Sequence, residues 1–128
     1  MKGFVTNIEK ATLENENYRQ VLYTGMSSQL VLMTIQPGDE IGSETHDLDQ
    51  FIRIEAGQAV VTLDGVNHTL EDDWAVVIPA GTEHNVVNNG NEPLRLYSIY
   101  SPPEHKDGTV HATKADDKEE HFDGVTTE

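Results

Sequence analysis

The sequence predicts an all-β protein, an antiparallel barrel or sandwich, and three observations carry that expectation. From residue 20 onward, short runs rich in Val, Ile, Leu, Tyr and Thr recur between turn residues. Asp64-Gly65 separates two of these runs by the residue pair best suited to a tight hairpin. No middle stretch carries the 3.6-residue apolar spacing of a long helix.

Taken in order, residues 8–15 offer about two helical turns, weakened by Asn15, Asn17 and the lack of an apolar stripe. Strands are expected at 21–23 and 30–35, the latter stopped by Pro37-Gly38. The run 50–55 ends at Gly57, and 59–63 and 66–70 flank Asp64-Gly65. The run 75–78 closes at Pro79-Ala80-Gly81, and 84–87 at Asn88-Asn89-Gly90-Asn91. The last run, 94–100, meets Pro102-Pro103, where missing backbone donors force the chain off the sheet. The division is thus an N-terminal extension (1–19), a barrel domain (20–103) and an irregular acidic C-terminal tail (104–128). Residues 114–128 have little apolar content beyond Phe122 and Val125, so they are expected to be mobile or docked on another surface.

A chain of 128 residues suits one domain, and its 23 Asp+Glu against 8 Lys+Arg give a net charge of −15. That charge disfavours nucleic acid and anionic lipid as partners. With no cysteine, disulfides, thiolate catalysis and sulfur-ligated metals are excluded. The N-terminus lacks a secretory pattern and no window is apolar enough for a membrane span, so a soluble cytoplasmic protein is expected. Residues 38–91 hold 11 acids and a single base, Arg53, which alternation from an inward Gln50 points outward. A phosphorylated substrate would therefore need a tail lysine or a metal to receive it.

Two stretches combine turn residues with possible ligands. In the first, Glu44 and His46 are two apart, which on a strand puts both side chains on one face, and Gln50 opens the next strand. In the second, the turn Pro79-Ala80-Gly81 delivers His84 at a strand start, with Asn88 four residues on. Alone, Glu44 or Gln50 reads as a solvated side chain, and a lone histidine as a satisfied one; together they read as a divalent-metal site.

At these spacings the chain resembles the cupin superfamily. Gly38, Gly57, Pro79, Gly81, His84 and Asn88 match its two motifs, and His46 matches the second histidine of the first. Glu44 stands where a histidine is usual, Gln50 where a glutamate is usual, and Asp73 where a glycine is usual. The resemblance covers residues 28–100 and implies a jelly-roll β-barrel with a metal at its mouth, held by Glu44, His46, Gln50 and His84. These offer two imidazoles, one carboxylate and one amide, the same net charge as the usual set. They suit Fe, Mn, Ni, Co or Zn as a divalent ion, with Gln50 a loose ligand or a hydrogen-bond partner. A cupin that has lost its metal is the competing reading.

The resemblance further implies a small metalloenzyme acting on a small oxygenated substrate, isomerase-type on a sugar or sugar acid. An Fe(II)-dependent dioxygenase and a non-catalytic binding module are the alternatives. No catalytic residue is assigned. Tyr100-Ser101-Pro102-Pro103-Glu104-His105, similar to a stretch of small bacterial and archaeal cupins, is expected to pack as a rigid arm on the barrel or a partner subunit. The sharper alternative brings Tyr100 or His105 to the mouth as general acid or base. Met33, Ile35, Ile52, Ile54 and Val86 are expected to wall the cavity, Trp74 to pack, and His68 and His121 to face solvent. A homodimer touching through the region after Tyr100 is expected.

Overall fold

The computed structural model describes residues 1–118 and 120–128. It opens with α1, Ile8–Glu14, started by the Asn7 side chain, which accepts from Lys10 N at 3.1 Å. Nine strands follow: β1 (Arg19–Thr24), β2 (Gln29–Ile35), β3 (Asp49–Ala56), β4 (Gln58–Leu63), β5 (Val66–Glu71), β6 (Ala75–Ile78), β7 (His84–Val87), β8 (Leu94–Ser101) and β9 (Val110–His111). A six-stranded sheet runs β6-β3-β8-β2-β1-β9 and a three-stranded sheet β5-β4-β7. Every pairing is antiparallel, which is the predicted jelly-roll architecture.

Each of the eight runs read from the sequence forms a strand, and the β4–β5 hairpin turns at Asp64-Gly65 with Leu63 opposite Val66. The ninth strand lies in the tail, where Val110 and His111 pair with Gln20 and Arg19. Two residues are too few to show a period-2 pattern.

Alternation sorts the faces. Ile52 and Ile54 of β3, Leu94 and Leu96 of β8, and Val31, Met33 and Ile35 of β2 are fully buried against Val61 and Val86. Burying each such side chain contributes about 1.5–3 kcal/mol. Met33, Ile35, Ile52, Ile54 and Val86 are therefore core filling; none of them lines the cavity beside Glu44 and His46. Arg53 lies on the outer face of β3 as alternation predicts, 2.7 Å from Glu55 and 3.1 Å from Asp73.

Trp74 does not pack, and is 54% exposed. Asp73, at φ 71°, turns the chain just before the edge strand β6. The Trp74 carbonyl accepts from Ile54 N at 2.9 Å, so its backbone is tied to β3 while the indole stands outside. His68, on β5, is exposed as expected.

The tail is docked. Val21 N donates to Thr109 O, Phe122 N to Glu104 O and Thr127 N to Thr24 O, each at 2.9 Å. Among the described residues, no helix is long and apolar enough to cross a membrane.

Candidate metal centre

Backbone bonds bring the two motif stretches together. Glu44 N donates to His84 O at 2.8 Å and His84 N to Glu44 O at 2.9 Å, an isolated antiparallel bridge between the β2–β3 loop and the first residue of β7. The turn after β6 closes the arrangement, with Gly81 N donating to His46 O at 2.8 Å. The consequence is convergence: ligand atoms of Glu44, His46 and His84 all lie within 4.8 Å of one another.

Each side chain is prepared differently. His84 is buried, and its Nδ1 lies 2.9 Å from Thr82 O. A carbonyl only accepts, so Nδ1 carries the proton and Nε2 of the neutral ring keeps its lone pair. His46 Nε2 is 2.8 Å from Glu44 Oε2, yet it is buried and without an aligned hydrogen bond. Two polar atoms that approach closely without pointing at each other have the arrangement of neighbouring ligands around a cation.

The electrostatics agree. Burial would raise the Glu44 pKa, but its contact with His46 and the charges of His46, His84 and Arg19 outweigh that and hold it below the usual value. His46 is raised, first by Glu44, against burial, with Glu104 adding to it. A pair that attracts a proton this way also attracts a divalent ion in its place.

Gln50 is buried, and its Nε2 donates to Ser98 Oγ at 3.3 Å and Tyr100 Oη at 3.2 Å. Its Oε1 has no partner among the described residues. Tyr100 in turn stands edge-on to His46, with ring centroids 6.2 Å apart. Gln50 therefore neighbours the triad through Tyr100.

A cavity of about 300 Å³ opens beside Glu44 and His46, lined by Arg19, Glu44, His46, Glu104, His105 and Lys118 among others. Arg19 and Glu104 escape the sequence reading, whereas a tail lysine is expected there. Arg19 falls at the assigned edge of the extension; it begins β1, alternates with Val21 and points inward, so the cavity does have a cation from the barrel. Glu104, beside the quoted His105, has one oxygen 3.6 Å from His46 Nδ1 and the other 3.0 Å from His121 Nδ1. Lys118 arrives with the docked tail. His121 is exposed as expected, although Glu104 holds its ring.

His105 does reach the cavity, with its ring edge-on to Tyr100 at 5.0 Å. Burial, followed by the charge of Arg19, pushes its pKa down to about 3, and its Nε2 is unpaired. An unfolded histidine titrates near about 6.5. Between these values the unfolded chain binds more protons at this site, so stability falls as pH drops from about 6.5 toward 3. Urea unfolding at pH 7 and at pH 4.5 should show wild type losing more stability than His105→Asn over that interval; equal losses would refute the assignment.

The family model described as "Cupin domain" matches residues 31–100, more than half of the chain. The chain belongs to the cupin family. This cupin is 51% identical over 122 residues to the uncharacterised protein YrkC of Bacillus subtilis (strain 168), covering 90% of the cupin and 66% of YrkC. It thus spans slightly under two thirds of that relative's length. It is 44% identical over 113 residues to an uncharacterised protein of Acanthamoeba polyphaga mimivirus, covering 84% of the cupin and 70% of the viral protein. The crystal structure of BH2720 from Bacillus halodurans superposes with a TM-score of 0.88 at 49% identity, covering 90% of the cupin and 92% of that chain.

Proposed function

We propose that this cupin is a divalent-metal enzyme acting on a small oxygenated substrate, isomerase-type on a sugar or sugar acid. The observation that carries the reading is the convergence of Glu44, His46 and His84 beside a polar cavity. An ion held by these three residues supplies polarisation of a substrate carbonyl or hydroxyl. Gln50 donates to Tyr100, and Tyr100 stands edge-on to His46, which ties the pair to the site.

The proton transfer that an isomerisation needs is assigned to Glu104. Tyr100 is buried, and burial raises its pKa, so it stays a neutral hydroxyl. His105, with a pKa of about 3, is too weak a base and serves as a neutral hydrogen-bonding wall. Of the cavity carboxylates outside the triad, Glu104, Asp117 and Glu120, Asp117 is paired with Arg19, and Glu104 is the one that lies against a triad residue, 3.6 Å from His46 Nδ1. Glu104→Gln should retain metal while losing about 10²–10⁴-fold in turnover. Unchanged turnover in that variant would remove Glu104 from the mechanism.

The overall reading is tested by metal content of untagged protein, followed by turnover of an aldose, ketose and uronate panel with zinc, manganese or iron. Activity with zinc and without oxygen supports isomerisation. Strict dependence on iron and oxygen would replace it with the dioxygenase alternative, and ligand binding without turnover with the binding module. We also keep a homodimer in the proposal: Val77, 61% exposed, and Ile99, 37% exposed, leave apolar surface on the outer face of the larger sheet. A monomer in sedimentation at micromolar concentration would overturn it.

A further inference from the structure

Among the described residues, Arg19 is the one strongly buried cation at the cavity, only 4% exposed. Its Nη1 donates to Asp117 at 2.5 Å and lies 3.3 Å from His111 Nδ1. Its Nε is buried and has no partner among the described residues. A buried guanidinium N–H without an acceptor is costly, and native structures rarely leave one so. Its charge is also felt across the site: it contributes to the lowered pKa of Glu44 and His105 and opposes the rise at His46.

We propose that Arg19 is the carboxylate-binding subsite of this cavity, so that the substrate is a small hydroxy or oxo acid rather than a neutral sugar. The inference rests on the metal reading above and narrows its substrate class. Nε and its adjacent Nη form a planar fork that matches the two oxygens of a carboxylate. A charged acceptor makes hydrogen bonds roughly twice as strong as a neutral hydroxyl does. Three of the four acids on the same wall are already engaged, Glu44 with His46, Glu104 with His46 and His121, and Asp117 with Arg19 itself; the fourth is Glu120. Lys118 adds a second positive charge to the lining. The volume, about 300 Å³, is at the small end of ligand sites and suits a compact acid. The substrate's carboxylate takes the unpaired Nε and its adjacent Nη of Arg19, while its hydroxyl or carbonyl oxygen faces the triad.

The test is calorimetric titration of manganese-loaded protein with three acids and their neutral counterparts: glycolate with ethylene glycol, tartrate with threitol, and gluconate with sorbitol. Wild type should bind at least one acid about tenfold or more tighter than its polyol, and Arg19→Gln should lose that preference while keeping its manganese. Arg19→Gln removes a buried ion pair, so Asp117→Asn is the companion variant. Freed of its counter-ion, Arg19 should hold the acid several-fold more tightly, whereas a purely structural pair would show lower stability with no gain in affinity. Equal binding of acids and polyols, no binding of any acid, or an acid preference that survives in Arg19→Gln overturns the proposal. Failure of the metal reading is separate: wild type would take up no manganese, while an Arg19-dependent acid preference would persist in metal-free protein.

Discussion

His84→Ala should lower divalent-metal affinity by about 100-fold or more and leave the purified protein without stoichiometric metal. The variant removes one of three convergent ligands, and the one whose free nitrogen is already defined, because Thr82 O fixes the proton on Nδ1. The fold should survive, because the Glu44–His84 bridge is made by backbone atoms that alanine keeps. Inductively coupled plasma mass spectrometry on untagged wild type and variant, with circular dichroism as the fold control, reads the result. Glu44→Gln should fall in the same direction, since it removes the carboxylate that offsets the ion's charge. Wild type that neither carries metal nor takes it up on titration would sink the metal centre.

Gly57→Ala should be the most damaging single-methyl change in the chain. Gly57 has φ 98°, and a Cβ there would sit 2.9 Å from Pro93 O and 3.0 Å from Leu94 Cα. Both neighbours are backbone, so neither can swing away. Backbone strain of about 1–3 kcal/mol then adds to a steric cost, for a loss on the order of 4 kcal/mol, a large part of a typical domain's total. Gly38→Ala is the control: φ is 79°, but nothing lies within 4 Å of the added Cβ, so about 1–2 kcal/mol is expected. Urea midpoints at constant m-value measure both. Equal losses would show that φ alone matters at these motif glycines.

Much of this molecule is legible in the sequence because its signals are local. The apolar runs are bounded by Gly, Pro and Asn, and each became a strand; Asp64-Gly65 became its hairpin. Glu44, His46 and His84 also announce themselves, because strand alternation and the turn at Pro79-Ala80-Gly81 fix which way they face. What stayed hidden depends on distant pairing. Arg19 turns inward only because β1 begins there, and it tolerates burial only because Asp117 returns 98 residues later. Strand β9 exists because Arg19 and Gln20 offer it an edge. Trp74 misleads in the other direction: its composition says core, but the left-handed turn at Asp73 puts it on the rim.

The bridge between Glu44 and His84 separates scaffold from chemistry. Since main-chain atoms hold the two motifs in register, the side chains there are exchangeable parts on a fixed mount. The double variant Glu44→His with Gln50→Glu would move the carboxylate to another corner of the same frame at constant net charge. Such a frame would let point substitutions change the set of groups presented at the site without disturbing the backbone that carries them.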